Sequence, residues 1–160
     1  MEEVNNSKNF VLSNKLAKES IELLEWPILR EHLSTFASTS MGKQAIMALE
    51  IPLKLVDTQI LLEQTKEINN LENESDQIIN FDGVFDITKN VEKCFKGGIV
   101  NPTDLLEIAE TISSSRRLKK IVYSSDLRPL LSKVFDELID HNQLEKILKN
   151  GIENNGQISD

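Results

Sequence analysis

NPTDLLEIAETISSSRRLKKIVY, residues 101–123, opens on the clearest helix start in the chain. Asn101 has the short polar side chain favoured just before a helix. Pro102 suits the first helical position, where its missing N–H would be unpaired anyway, and Asp104 sets an acid against the positive end of the helix dipole. Leu105, Ile108, Ala109, Ile112, Leu118 and Val122 then share one arc of a helix predicted over 102–123. Just upstream, Gly97-Gly98 is a helix stop, so a short helix is expected over 86–96 with Asp86 as its cap.

The same logic reads outward in both directions. Leu16, Ser20, Leu23 and Leu24 give one side of a helix over 13–25, capped by Ser13 and broken before Trp26-Pro27. A second over 27–38 presents Leu29, Leu33, Phe36 and Ala37 and ends in Ser38-Thr39-Ser40. A third covers 41–50. After Pro52, Leu53, Ile60, Leu61, Ile68 and Leu71 define the arc of a helix over 54–71, followed by a loop around Asp82-Gly83. Helices over 128–140 and 143–149 complete an all-α, multi-helical bundle, since no segment alternates as a strand would. Residues 1–12 are expected to be a disordered tail, 13–150 the helical segment, and 151–160 the start of a continuation.

Composition bounds the function. The 160 residues carry 18 Lys and Arg against 26 Asp and Glu, a net charge of −8, with 39% hydrophobic, 28% charged and 5% aromatic residues. A chain of this size buries roughly 70% of its unfolded surface when it folds as one domain. The first twenty residues lack a basic start and an apolar stretch, and no apolar run nears the ~20 residues of a spanning helix, so a cytoplasmic protein with no membrane partner is expected. One cysteine, Cys94, forms no internal disulfide and suits a reducing compartment.

Catalytic constellations are not apparent. Gly97-Gly98 is followed by Ile99-Val100 rather than Lys-Ser, and no phosphate-binding loop occurs elsewhere. His32 and His141 have no second ligand at helical spacing, Cys94 has no base beside it, and the acid pairs Glu72 and Glu74, Asp136 and Glu137 read as solvated faces. No catalytic, cofactor-binding or metal-binding residue is expected. One charge feature stands out: residues 114–133 hold Arg116, Arg117, Lys119, Lys120, Arg128 and Lys133 against the single acid Asp126, a local +5 that leaves −13 elsewhere. Arg116 and Lys119 fall inside or at the edge of the buried arc and are expected to snorkel or to pair with carboxylates. Arg116 is matched with Glu67, at the margin of the 54–71 arc. Arg117 and Lys120 point outward, where they favour the helix C-terminus or contact nucleic-acid phosphate, with no aromatic platform to stack bases.

An ordered series of short motifs completes the reading. Leu24-Glu25-Trp26, Ile28, Leu33 and Ala37 come first, then Ser40-Met41-Gly42-Lys43, Leu61-Leu62-Glu63-Gln64-Thr65-Lys66-Glu67, and Asp86-Ile87. Lys96-Gly97-Gly98, Asp104 to Thr111, and Ser115-Arg116-Arg117-Leu118-Lys119 follow. Over about residues 15–158 this order and spacing resembles the amino-terminal region of the second-type MutS proteins of bacteria, with Trp26-Pro27 departing from a more usual aromatic-polar pair. The resemblance implies a MutS relative without the mismatch-reading domain: helical core, lever and clamp, a dimerising ATPase that uses ATP and magnesium, and usually a carboxy-terminal Smr nuclease domain. It also implies full-length homodimers that suppress homologous recombination at branched DNA or rescue collided ribosomes. Within that frame these residues are a non-catalytic core segment, truncated before the active domains, whose partners are those domains and, through them, DNA or the ribosome. An autonomous helical protein-interaction module without a nucleic-acid role is the alternative. Either way, calorimetric titration of this chain with ATP and magnesium is expected to give no saturable heat, and a micromolar isotherm would reveal a site the motifs do not show.

Overall fold

The computed structural model describes residues 16, 19–74, 79–124 and 126–152; the tail over 1–12, the Ser13 cap and most of the stretch 151–160 lie outside them. The regular elements among the described residues are all helices joined by turns, with no strand among them. A helical stretch over 19–23 precedes α1 (Trp26–Ser34), α2 (Ser40–Met47), α3 (Leu55–Glu74), α4 (Thr88–Phe95), α5 (Pro102–Val122), α6 (Pro129–Asp136) and α7 (Asn142–Gly151). By contact the chain parts into two units, Met1–Glu50 and Ile51–Asp160.

In the first unit, α1 packs on α2. The break before α1 falls at Glu25, whose φ of 49° is left-handed, ahead of Trp26-Pro27 as expected, but Trp26 itself already belongs to the next helix. Pro27 then sits in the first turn, where it removes no helical hydrogen bond. Thr39, expected only as part of a stop, begins α2 instead: its hydroxyl accepts from the Gly42 N–H at 3.0 Å. The end of α2 is tied down from α1. Trp26 Nε1 donates to the Leu49 carbonyl at 3.1 Å, and Arg30 Nη1 donates to the carbonyls of Met47 at 2.6 Å and Leu49 at 3.2 Å. These are carbonyls that a helix end leaves unpaired, and a cation suits that end of the dipole.

In the second unit α5 is the spine, carrying α7 and α6, while α3 lies on α6. Leu71, Val122 and Leu131 form the core, with Ile68, Ile79, Ile121 and Phe135 against it. Of the arc expected on α3, Leu71 is buried and Ile68 partly so, while Leu53, Ile60 and Leu61 are exposed. Only the last turns of α3 find a neighbour among the described residues. The helix expected over 128–140 stops at Asp136, and the Leu138 carbonyl accepts instead from Lys119 Nζ at 3.1 Å.

Two glycines set the path between α3 and α5. At the end of α4, Gly98 N–H bonds the Lys93 carbonyl and Gly97 N–H the Cys94 carbonyl, each at 2.9 Å, with Gly97 at φ 74°. That is the Schellman pairing, and it requires the left-handed residue. At the other turn, the side chain of Asn80 brackets Asp82, and Gly83 adopts φ 76°. The turn is pinned to α5 by a polar stripe: Thr111 Oγ1 accepts from Phe85 N–H at 3.1 Å, while Ser114 Oγ and Arg117 Nη2 donate to the Asp82 carbonyl at 2.8 and 3.0 Å. A Cβ on Gly83 would stand 2.7 Å from Ser114 Oγ, whereas one on Gly97 meets nothing within 4 Å. Gly97→Ala is therefore expected to cost about 1–2 kcal/mol from the left-handed backbone. Gly83→Ala should cost about 1 kcal/mol more, because the Ser114 bond is displaced as well, and urea midpoints on the two variants check the order.

Candidate functional site

The basic residues of α5 do not form one face, and each has its own environment. Arg116 Nη1 lies 2.8 Å from Glu145 Oε2, and Lys149 Nζ lies 2.8 Å from Glu145 Oε1. Glu145 is the buried member at 6% exposure, while the Arg116 and Lys149 side chains each remain 44% exposed. The Lys149 contact is a well-formed hydrogen bond, and the Arg116 contact is a close ion pair whose N–H is not well aligned on Oε2. Arg116 first, then Lys149, holds the Glu145 carboxyl down to about 2, against the upward push of burial, and the same contact raises the Arg116 guanidinium.

The expected partnership of Arg116 with Glu67 is therefore corrected. Glu67, partly buried on α3, accepts from the backbone N–H of Leu130 at 3.2 Å and of Leu131 at 2.9 Å. Arg128, the residue flanking α6, makes no side-chain cap bond, so Glu67 supplies the missing acceptor from another helix. An N-terminus rewards a carboxylate through both unpaired N–H groups and dipole. A wheel places Glu67 toward a neighbour but cannot tell a guanidinium from a helix end. Glu145 escapes periodicity for a different reason. Leu144 and Ile147 of α7 are exposed, and its buried side joins Glu145 with the partly buried Leu148 and the buried Ile152, so a single acid interrupts a short apolar arc. The signal available was an acid and a lysine four residues apart, with a cation in the arc of a preceding helix.

Arg117 spends one donor on the Asp82 carbonyl, and Lys120 is exposed with no protein partner among the described residues. Both line an open groove of about 640 Å³ with Ser113, Arg116 and Ile121. A smaller hollow of about 230 Å³ lies on the other side of Arg116, between Lys119 and Leu138–Asp140. His32 meets the edge of Phe36 at 5.4 Å between ring centres, and Cys94 is exposed. Among the described residues no three His, Cys, Asp or Glu side chains gather as metal ligands would.

Helices locked by carboxylates at their ends and seams make an all-α arrangement, and its sequence is similar to part of a group of longer proteins. Over 145 residues the chain is 32% identical to the endonuclease MutS2 of Synechocystis sp., matching 91% of this chain and 18% of that protein. It is 27% identical over 143 residues to the endonuclease MutS2 of Symbiobacterium thermophilum, 89% of this chain and 18% of that one. Against Geobacillus thermodenitrificans MutS2 the figures are 28% over 152 residues, 91% and 19%. No family model matches. Over about nine-tenths of its length the chain is similar to these MutS2 proteins, consistent with a segment of a MutS2-type protein, and it spans about 18% of their length.

The Glu145 cluster makes a measurable claim. A carboxyl depressed in the folded state stabilises fully above its unfolded value, near 4.5, and the contribution drains away as pH falls toward about 2. Glu145→Gln is expected to cost about 1.5–3 kcal/mol at neutral pH, the range for a hydrogen bond to a charged group. The gap between variant and parent should close between pH 4.5 and about 2, followed by urea unfolding across that window.

Proposed function

We propose that this chain is a non-catalytic core segment of a MutS2-type protein, a helical element that seats the rest of such a protein rather than performing chemistry. The carrying observation is apolar exposure on well-formed helices. Leu55, Val56 and Leu62 of α3, Val91 and Phe95 of α4, and Ile147 of α7 stand largely in solvent, Phe95 at 92%. Water-facing apolar surface on this scale marks surface meant to be covered. The matched relatives supply the cover, since more than four-fifths of their length lies outside the matched region.

On this reading the activities belong to the whole protein: ATP and magnesium act in a dimerising ATPase domain, and cleavage, as the relatives' name endonuclease states, in a separate domain. Suppression of recombination at branched DNA and rescue of collided ribosomes are the roles such an assembly would serve, in the cytoplasm and as a homodimer. No helix among the described residues is long and apolar enough to cross a membrane.

Purifying the chain together with the remainder of the Synechocystis relative tests the reading. A stoichiometric complex is expected, with slowed amide exchange over 55–62 and 142–148. Leu62→Asp with Ile147→Asp should abolish it while lowering the stability of the chain alone by only about 1 kcal/mol. Absence of a complex would favour an autonomous module.

A further inference from the structure

The outer groove of α5 shares no lining residue with the apolar positions argued above to be covered, and three of its five lining side chains are cations. We propose that it is a contact site for the phosphate backbone of a nucleic acid, with Lys120 and Arg117 as the residues that neutralise phosphate; the choice of a nucleic acid over other polyanions rests on the MutS2 reading.

The cations are not equivalent. Arg116 lines the groove but is held by Glu145, with Asp140 as a further acid acting on it. Arg117 is anchored through a backbone carbonyl, so it keeps its full charge while its guanidinium is oriented. Lys120 is unpartnered among the described residues. Three residues apart on a helix, Arg117 and Lys120 share one side of α5, offset by ~4.5 Å along the axis, so both long side chains can reach one phosphate strand. The guanidinium fork suits phosphate oxygens, and the Ser113 hydroxyl in the same groove can add a donor.

The acidic balance of the chain does not forbid this. Screening at physiological salt confines electrostatic influence to about 8 Å, so a strand in the groove feels Arg117 and Lys120 far more than acids on distant helices. Those acids instead restrict a polyanion to this face. No aromatic side chain lines the groove, so the contact is to backbone and independent of sequence.

Fluorescence anisotropy on the 160-residue chain, titrated with short single-stranded DNA, duplex DNA and single-stranded RNA between about 50 and 200 mM salt, is the test. The parent should bind at least one of these with an affinity that falls as salt rises, and the tightest arm identifies DNA or RNA as the source. R117A/K120A should weaken that arm at least about tenfold and flatten the salt slope by about two phosphate contacts. Circular dichroism reports whether the double variant folds; if it does not, K120E, at an exposed site, should give the loss alone. No saturable binding by the parent, or an unchanged slope in the variant, overturns the proposal. Neither result touches complex formation with the remainder of a MutS2 protein, so failure here and failure of the core-segment reading are distinguishable.

Discussion

A carboxylate at 6% exposure cannot stay charged without company, and the position of α7 follows from where Glu145 finds it. Arg116 comes from the spine and Lys149 from the next turn of α7, so one ionised group ties a helix to its neighbour and to itself. Leu144 and Ile147 are exposed, while Leu148, one turn on from Glu145, is partly buried and Ile152 is buried, so charge and apolar contacts turn the same side of the helix inward. Glu67 plays the parallel part for α6, where two backbone N–H groups take the place of the cations.

Between these two points the spine is held by polar contacts as well as apolar ones. Thr111, Ser114 and Arg117 follow one another along one line of α5 and receive the turn at Asn80–Phe85, whose backbone groups would otherwise be left unpaired on the helix surface. The apolar core is correspondingly small, with Val122 as the one large side chain almost wholly removed from water among the described residues. Fixed geometry here comes from directional bonds to carbonyls and N–H groups, each of which specifies a register that a few aliphatic contacts would leave free.

What the sequence discloses and what it conceals divide along range. Signals that act within one turn were legible: Pro102 at the start of α5, the paired glycines after α4, the absence of strand alternation, and hence the all-α class. The buried arc of α5 was legible too, because Ile108, Ala109, Leu118 and Val122 repeat at helical spacing. Pairing across long stretches of chain was not. Glu67 reaches α6 from 63 residues away, and a helical wheel gives an azimuth but no neighbour. Helix ends that depend on such pairing were likewise missed. The sequence has no breaker at Glu137, yet α6 ends there, and the backbone beyond it receives Lys119.

The misfit between periodicity and burial carries information of its own. In α3 the apolar positions keep helical spacing from Leu53 onward, but only the end of the helix, at Ile68 and Leu71, meets a core. A chain selected to fold alone would place polar side chains on the idle turns, since each exposed aliphatic adds a liability to association and no stability. Leu55, Val56 and Leu62 in one helix, and Phe95 at the end of another, are the side chains that the core-segment proposal assigns to a covering partner. Among the described residues the core of the second unit engages only one end of α3, so the stabilising contacts of that helix are concentrated in its last turns.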